Sequence, residues 1–376
     1  MRIGLVIYGS LDTVSGGYLY DRHLVRVLRA RGHTVQVVSL PWESYPRRLW
    51  HNVLPSVRQR LATAAVDLWL QDELNHPSLF WLNAQLRKVV AAPVVSIVHH
   101  LRSDERHPAW LLPVYRAVER RYLRSVDGFL CNSRTTCARV AWLLGRPPRR
   151  KWVAYPAADR FAPRGVLPVA EETVLARAQQ PGPLRVLFVG NLIRRKGLPT
   201  LLKALARVSP ETAVLDVVGR EDVEPAYARQ MHALADRLGL AQRVRFHGYQ
   251  DDDGLASLLR QAHVLAVPSE YEGFGIVYLE GMAFGLPALA GNRGAAHEII
   301  TPGENGDLLP PHDPAPWAAA LARLHLDRGL LARMGLAAQA RFRRHPTWDE
   351  SLGAAEAWLR QWVAPSSSPS SSPALR

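Results

Sequence analysis

Two acids, Glu272 and Glu280, stand eight positions apart in the segment from Pro268 to Glu280, with Gly273 and Gly275 between them. An apolar run from His263 to Val267 leads in, and Ile276 to Phe284 reads as a helix. Strand, glycine loop and helix start make an anion site: free N–H groups point outward and the helix dipole favours negative charge there. Carboxylates beside such a site repel the anion unless each has a task of its own. Hydrogen bonding to sugar hydroxyls is such a task, so the segment reads as a nucleotide-sugar site.

Three more clusters carry chemistry. Gly190-Asn191-Leu192-Ile193-Arg194-Arg195-Lys196-Gly197 follows an apolar strand. Arginine offers a fork to phosphate oxygens and lysine a point charge, which suits a diphosphate. Ser15-Gly16-Gly17-Tyr18 separates the first strand from the first helix. Its paired glycines let backbone N–H groups approach a ligand, although taken alone a tight turn explains them better. His99 and His100 end a strand, and Asp72 and Glu73 end another. Asp72, Glu73, Tyr18 and His100 are candidates for the acceptor side, with solvated loop acids the simpler reading of the first two. The run Asp251-Asp252-Asp253 reads as a helix cap and first turn, not a metal site. No paired acids of the Asp-x-Asp kind lie near a strand end, so neither metal nor other cofactor is expected.

The elements that must position these groups alternate. Strands are expected at Arg2–Tyr8, Thr34–Leu40, Val66–Leu70, Pro93–Val98 and Gly128–Asn132, with helices between them. A proline-rich, structure-poor linker is expected over 156–183. The pattern then restarts with strands at Leu184–Val189, Val214–Val218, Val244–Phe246, Val264–Val267 and Ala288–Ala290. Repeated strand–helix–strand units imply parallel sheets with helices on both faces. Two Rossmann-like domains follow, residues 1–160 and 184–346 joined through 161–183, with ligands expected beyond the strand C-termini, in the cleft between them. A last helix, 348–363, carries Trp348, Leu352, Trp358, Leu359 and Trp362 and is expected to pack back on the first domain. The Ser/Pro tail, 364–376, reads as disordered.

The 376 residues are 48% hydrophobic and carry a net charge of +14. Residues 1–160 hold 24 Lys and Arg against 11 Asp and Glu, and the rest is nearly balanced, 23 against 22. Such asymmetry points to an anionic partner, a membrane surface above all; an arginine-rich solvated surface explains it equally. There is no run long enough to cross a bilayer, and no helix-turn-helix, zinc or RNP-like signature for nucleic acid. The N-terminus runs directly into a strand, so no signal peptide is expected. Cys131 and Cys137 are the only cysteines. A cytoplasmic enzyme, peripheral on the inner membrane face through its basic half, is the expectation.

Taken together, these pieces resemble the retaining glycosyltransferases of family four, which have the GT-B fold of two facing Rossmann-like domains with a deep cleft. The resemblance rests on Gly16-Gly17, Arg31-Gly32-His33-Thr34-Val35, His99, the Gly190–Gly197 loop, Arg245-Phe246-His247-Gly248, Pro268 to Glu280, Gly285-Leu286-Pro287 and Gly303-Glu304-Asn305-Gly306. It implies transfer of a sugar from a nucleotide-diphospho-sugar to an acceptor hydroxyl, with retention at the anomeric carbon. Glu272 would contact the donor sugar, and the backbone from Gly273 through Phe274, Gly275, Ile276 and Val277 would hold sugar and phosphates. Glu280 would bind the ribose. Arg195 and Lys196 would balance the diphosphate, Gly16, Gly17 and Gly190 would approach it, and Glu298 would support the donor site. His99 would donate a hydrogen bond to the sugar's reacting face. Asn191 stands where many relatives carry Arg, and His100 where an acid is frequent. The acceptor is expected to be a lipid, a lipid-linked or a cell-surface glycan; a soluble small molecule is the alternative. A non-catalytic nucleotide-sugar-binding protein on the same fold is the competing class.

Overall fold

Apolar runs too short for helices, bounded by breakers, become strands buried on both faces when helices cover a parallel sheet. The computed structural model describes residues 1–165 and 169–363 and contains two such sheets. The first is built from β1 (Arg2–Tyr8), β2 (Thr34–Leu40), β3 (Leu68–Asp72), β4 (Val94–Val98), β5 (Gly128–Cys131) and β6 (Lys151–Val153). Their order is β2-β1-β3-β4-β5-β6, and every pairing is parallel. Every residue of β3 and β4 is buried.

The second sheet holds β7 (Leu184–Val189), β8 (Ala213–Val218), β9 (Val244–Phe246), β10 (Val264–Val267), β11 (Ala288–Gly291) and β12 (Gly306–Leu309), in the order β12-β11-β10-β7-β8-β9. It too is wholly parallel. β6 and β12 go beyond the expected strands. Both are short edge strands, too brief to show a period of their own. β3 lies two residues later than expected, which puts Asp72 inside the strand.

The stretch expected to be structure-poor is not so. It contains a 3-10 turn at Asp159–Arg164 and the helix Glu171–Ala178. That helix belongs to the second domain. Val174 and Ala178 join its core, and the buried Arg177 donates to the carbonyls of Phe284 and Gly285 (2.8 and 3.0 Å). Two apolar residues one turn apart were too weak a stripe to recognise. The Ser/Pro tail lies outside the described residues.

The helix Trp348–Arg360 starts at a capping box, Thr347 with Glu350, and lies on the first domain. Trp348, Leu352, Ala355 and Leu359 join that domain's core with Leu24 and Leu28. The Trp348 ring stacks on His23 at 4.3 Å and meets Tyr20 edge-on at 5.6 Å. Glu356, buried, accepts from His33 Nε2 (2.6 Å) and Arg31 (3.2 Å), and pairs with Arg360. The chain therefore crosses back, and its end is a structural part of its beginning. Truncating Trp348 to Ala removes a fully buried indole whose cavity cannot fully collapse. It is expected to cost about 3–5 kcal/mol, read as a lower urea midpoint for the first domain's transition.

Candidate active site

All the chemistry-bearing loops leave the C-terminal ends of the strands. β7 runs into Gly190–Gly197, and β10 into the 268–275 loop and the helix Ile276–Ala283. The two loops meet at Gly197, whose φ is +70° and where a Cβ would lie 1.9 Å from the carbonyl oxygen of Pro268. Any side chain there would push the loops apart. Their approach is sealed by the bond from Glu270 N to Arg195 O (2.8 Å).

That approach brings the cations to the first acid. Lys196 Nζ donates to Glu272 Oε1 (2.5 Å), as does Ser269 Oγ (2.5 Å), and Arg195 lies 3.7 Å from Oε2 while donating to Tyr271 O (2.8 Å). Burial alone would push the Glu272 carboxyl up. The charges of Lys196 and Arg195, with the two hydrogen bonds, outweigh burial and hold it at about 2. Burial also lowers the Lys196 ammonium, against the pull of Glu272. Two cations and one anion leave a surplus positive charge beside a helix start that no side chain caps. Such an arrangement is chemically suited to hold an anion.

Glu280, one helix turn further in, is buried and forms an ion pair with Arg160 Nε (2.9 Å) from the segment joining the domains. Arg160 also reaches Asp252 (3.2 Å). Asp251 caps the helix Asp252–Gln261 by accepting from Gly254 N (2.8 Å), so this acidic run begins a helix.

The first domain closes on this loop. A Cβ on Gly273 would lie 2.2 Å from His99 O, and the same oxygen accepts from Asn132 Nδ2 (2.8 Å). Ser133 Oγ donates to Gly273 O (2.9 Å). Gly17 lies against the His99 ring and Gly16 against Ile276. His99, Gly16, Gly17, Gly273 and Ile276 therefore share one junction. His99 Nε2 is 3.2 Å from Asp21 Oδ1, whereas His100 pairs with Glu105 (3.0 Å).

Other expected residues lie elsewhere. Asp72 and Glu73 are not solvated loop acids: both are buried, Asp72 Oδ1 accepting from Leu74 N (2.9 Å). Tyr18 is buried too and donates to Tyr8 O (2.6 Å). The Phe274 ring points to Tyr155 and His345, which leaves only its backbone at the loop. Glu298 bridges the domains: its carboxylate accepts from Arg134 N (3.1 Å), Thr135 N (2.7 Å) and Tyr155 OH (3.1 Å), at the N-terminus of the helix Arg134–Leu144. Asn191 sits in the Gly190–Gly197 loop, Leu192 N donating to Arg220 O (2.9 Å) beside it. Sequence reasoning passed over Ser269, Arg160 and Asp21. Only Asp21 left a signal, an acid on the apolar stripe of the helix Gly16–Ala30.

Known proteins are similar to this chain in sequence and in fold. Residues 173–341 match the family model described as glycosyl transferases group 1. A D-inositol 3-phosphate glycosyltransferase of Nocardia farcinica is 32% identical over 323 residues, 81% of this chain and 70% of the relative. The chain belongs to the group 1 glycosyltransferases. A second member, the phosphatidyl-myo-inositol mannosyltransferase of Mycobacterium leprae, is 29% identical and matched over 93% of each chain. The chain spans only 40% and 54% of the length of two other inositol phosphate glycosyltransferases, from Xylanimonas cellulosilytica and Streptomyces bingchenggensis. Among solved structures, the Anabaena protein HepE in complex with UDP superposes with a TM-score of 0.77 at 21% identity, over 96% of this chain and 100% of that one. The group 1 membership and the two sheets establish a GT-B fold of two facing Rossmann-like domains.

In this family member the Lys196–Glu272 pair has a pH signature. Glu272 is depressed in the folded state, so its contribution is present above its unfolded value and is lost as pH falls through about 2. Lys196→Met removes the main charge that holds it there. The variant is expected to lose about 3 kcal/mol at pH 7, with the gap to wild type closing steadily below about pH 4.5 in denaturant titrations.

Proposed function

We propose that the protein moves a sugar from a nucleotide-diphospho-sugar to an acceptor hydroxyl, with retention at the anomeric carbon. The observation that carries this reading is the cluster of buried Glu272 with the half-buried Lys196 and Arg195 beside the uncapped start of the helix Ile276–Ala283. Breaking the anomeric C–O bond puts negative charge on the leaving diphosphate and positive charge on the sugar. Arg195, Lys196 and the N–H groups of Ile276 and Val277 are fixed in place to stabilise the first, as preorganised donors do. With these cations the reading needs no metal. Glu272 meets the sugar hydroxyls, Glu280 the ribose and His99 the reacting face. The Anabaena structure in complex with UDP supports a nucleotide diphosphate as the leaving group.

The test is a screen of UDP-, GDP- and ADP-sugars, following nucleotide release and the product anomer by NMR. One donor is expected to turn over, with Glu272→Gln lowering kcat by about 10²–10³-fold. Binding without turnover across donors and acceptors would favour the non-catalytic reading. An inverted product would remove retention alone.

For the acceptor, we infer a lipid or lipid-linked polyol at an anionic membrane surface. The two relatives named above act, by their names, on inositol 3-phosphate and on phosphatidyl-myo-inositol. No helix among the described residues is long and apolar enough to cross a membrane. The basic helix 112–123 is a poor membrane element, because its apolar residues Tyr115, Tyr122 and Leu123 face the domain interior. The exposed tryptophans serve better: Trp42, Trp50, Trp81, Trp110, Trp142 and Trp152 all lie in the basic first domain, Trp50 at 69% and Trp110 at 75% exposure. Tryptophan and arginine together favour the interface of an anionic bilayer. In flotation at low salt, the protein is expected to bind phosphatidylglycerol vesicles over phosphatidylcholine vesicles. Trp50→Ser with Trp110→Ser should weaken binding several-fold. Equal recovery from both vesicle types would end this assignment in favour of a soluble acceptor.

A further inference from the structure

Asp72 and Glu73 raise a question that donor and acceptor binding do not answer, because both are buried beneath the cleft. Behind His99 stand Asp21 and Tyr20 from the helix Gly16–Ala30, and Asp72 and Glu73 from the end of β3. One side-chain ligand atom from each of Asp21, Asp72 and His99 lies within 4.8 Å of the others. Glu73, His76 and Glu119 form a second such group deeper in. Asp21 Oδ2 and Asp72 Oδ2 are buried with no hydrogen-bond partner, whereas Glu73 Oε1 lies 3.0 Å from His76 Nδ1. Stranded carboxylate oxygens of this kind are costly unless a positive charge or a proton lies among them. Gly17 lies against the His99 ring, and the Asn132 amide and the Gly273 backbone lie at its carbonyl oxygen, so these contacts bring no charge to the residue.

We propose that Asp21 and Asp72 are positioning residues that keep the His99 ring doubly protonated, with Nε2–H held by Asp21 and Nδ1–H left for the donor sugar, while Glu73 stands behind them as a neutral acid. This rests on the glycosyl-transfer reading of the cleft. Among the described residues no hydrogen bond engages Nδ1, so the nitrogen not taken by Asp21 is the one that serves. Burial opposes charge on the ring, but Asp21, its hydrogen bond and Asp72 outweigh burial, and His99 is raised above its ordinary value. Burial and the nearby Asp21 push the Asp72 carboxyl up to about 7, and burial with the nearby Asp72 pushes the Glu73 carboxyl well above its ordinary value. The sign follows. His99 is charged below its raised value and loses its donor as pH rises through it, so transfer falls on the alkaline side. A neutral His99 would be an acceptor at Nδ1, able to take a hydrogen bond from a sugar hydroxyl but not to donate one.

The experiment is histidine-labelled NMR of the full chain, with His99→Gln to assign the signal, run beside the pH profile of kcat/KM for nucleotide release. At pH 7 both ring nitrogens of His99 are expected to be protonated. Asp72→Asn should lower the titration midpoint by about one pH unit and Asp21→Asn by more, with the alkaline limb of kcat/KM moving in step. Glu73→Gln, which replaces an already neutral acid, should move it least. Should Asp21→Asn fail to fold, Asp72→Asn and Glu73→Gln carry the test. A neutral His99 at pH 7, or a midpoint unmoved in the folded variants, overturns the proposal. So does a midpoint that shifts with added Mg²⁺, Mn²⁺ or Zn²⁺ and returns with EDTA, because a cation would then hold the acids together. A charged His99 in a protein that releases no nucleotide sinks the transfer reading and leaves this one standing.

Discussion

Everything at the proposed donor end depends on one half-buried ion pair, Lys196 with Glu272. Two loops from different strands must touch for it to form, and they can touch only because Gly197 lacks a side chain against Pro268. Once made, the pair fixes both loops, brings Arg195 alongside and leaves a surplus positive charge at a helix start. An ion pair taken out of water is weak evidence for stability, because desolvation consumes much of the attraction. Its retention here is understandable as a function: the cations are set in place before any phosphate arrives.

The first domain answers with the opposite arrangement. The second presents cations near its surface; the first hides acids behind a histidine. Asp21, Asp72 and Glu73 are buried under the cleft in a half of the chain whose overall charge is strongly positive. Arginine and exposed tryptophan face outward, where an anionic interface would lie. The carboxyls face inward, Asp21 and Asp72 toward His99 and Glu73 toward His76.

Between the domains the contacts are polar and local. Glu298 caps the helix Arg134–Leu144, Gly273 touches His99 O, and the helix Trp348–Arg360 ties the chain's end to its start. A helix N-terminus capped from another domain uses the same physics as a phosphate bound there. The residue read as donor support thus lies at the junction of the domains.

Much of this was legible in the sequence, for physical reasons. Parallel strands buried on both faces are apolar runs, so ten of them could be read directly. Glycines and charges at strand ends marked the cleft because ligands in such sheets bind there. The edge strands β6 and β12 were not legible, because three or four residues carry no period, and the eight-residue helix Glu171–Ala178 was not, because its stripe is only Val174 and Ala178. Nor were the partners of each acid. The sequence by itself determined which residue types lie at the strand ends, since that follows from local pattern. Only the tertiary structure decided that Glu272 meets Lys196, that Glu280 meets Arg160 and that Asp72 is buried behind His99. Those pairings join positions some 27 to 120 residues apart. Burial and charge balance at such separations are set by packing, which no local pattern encodes.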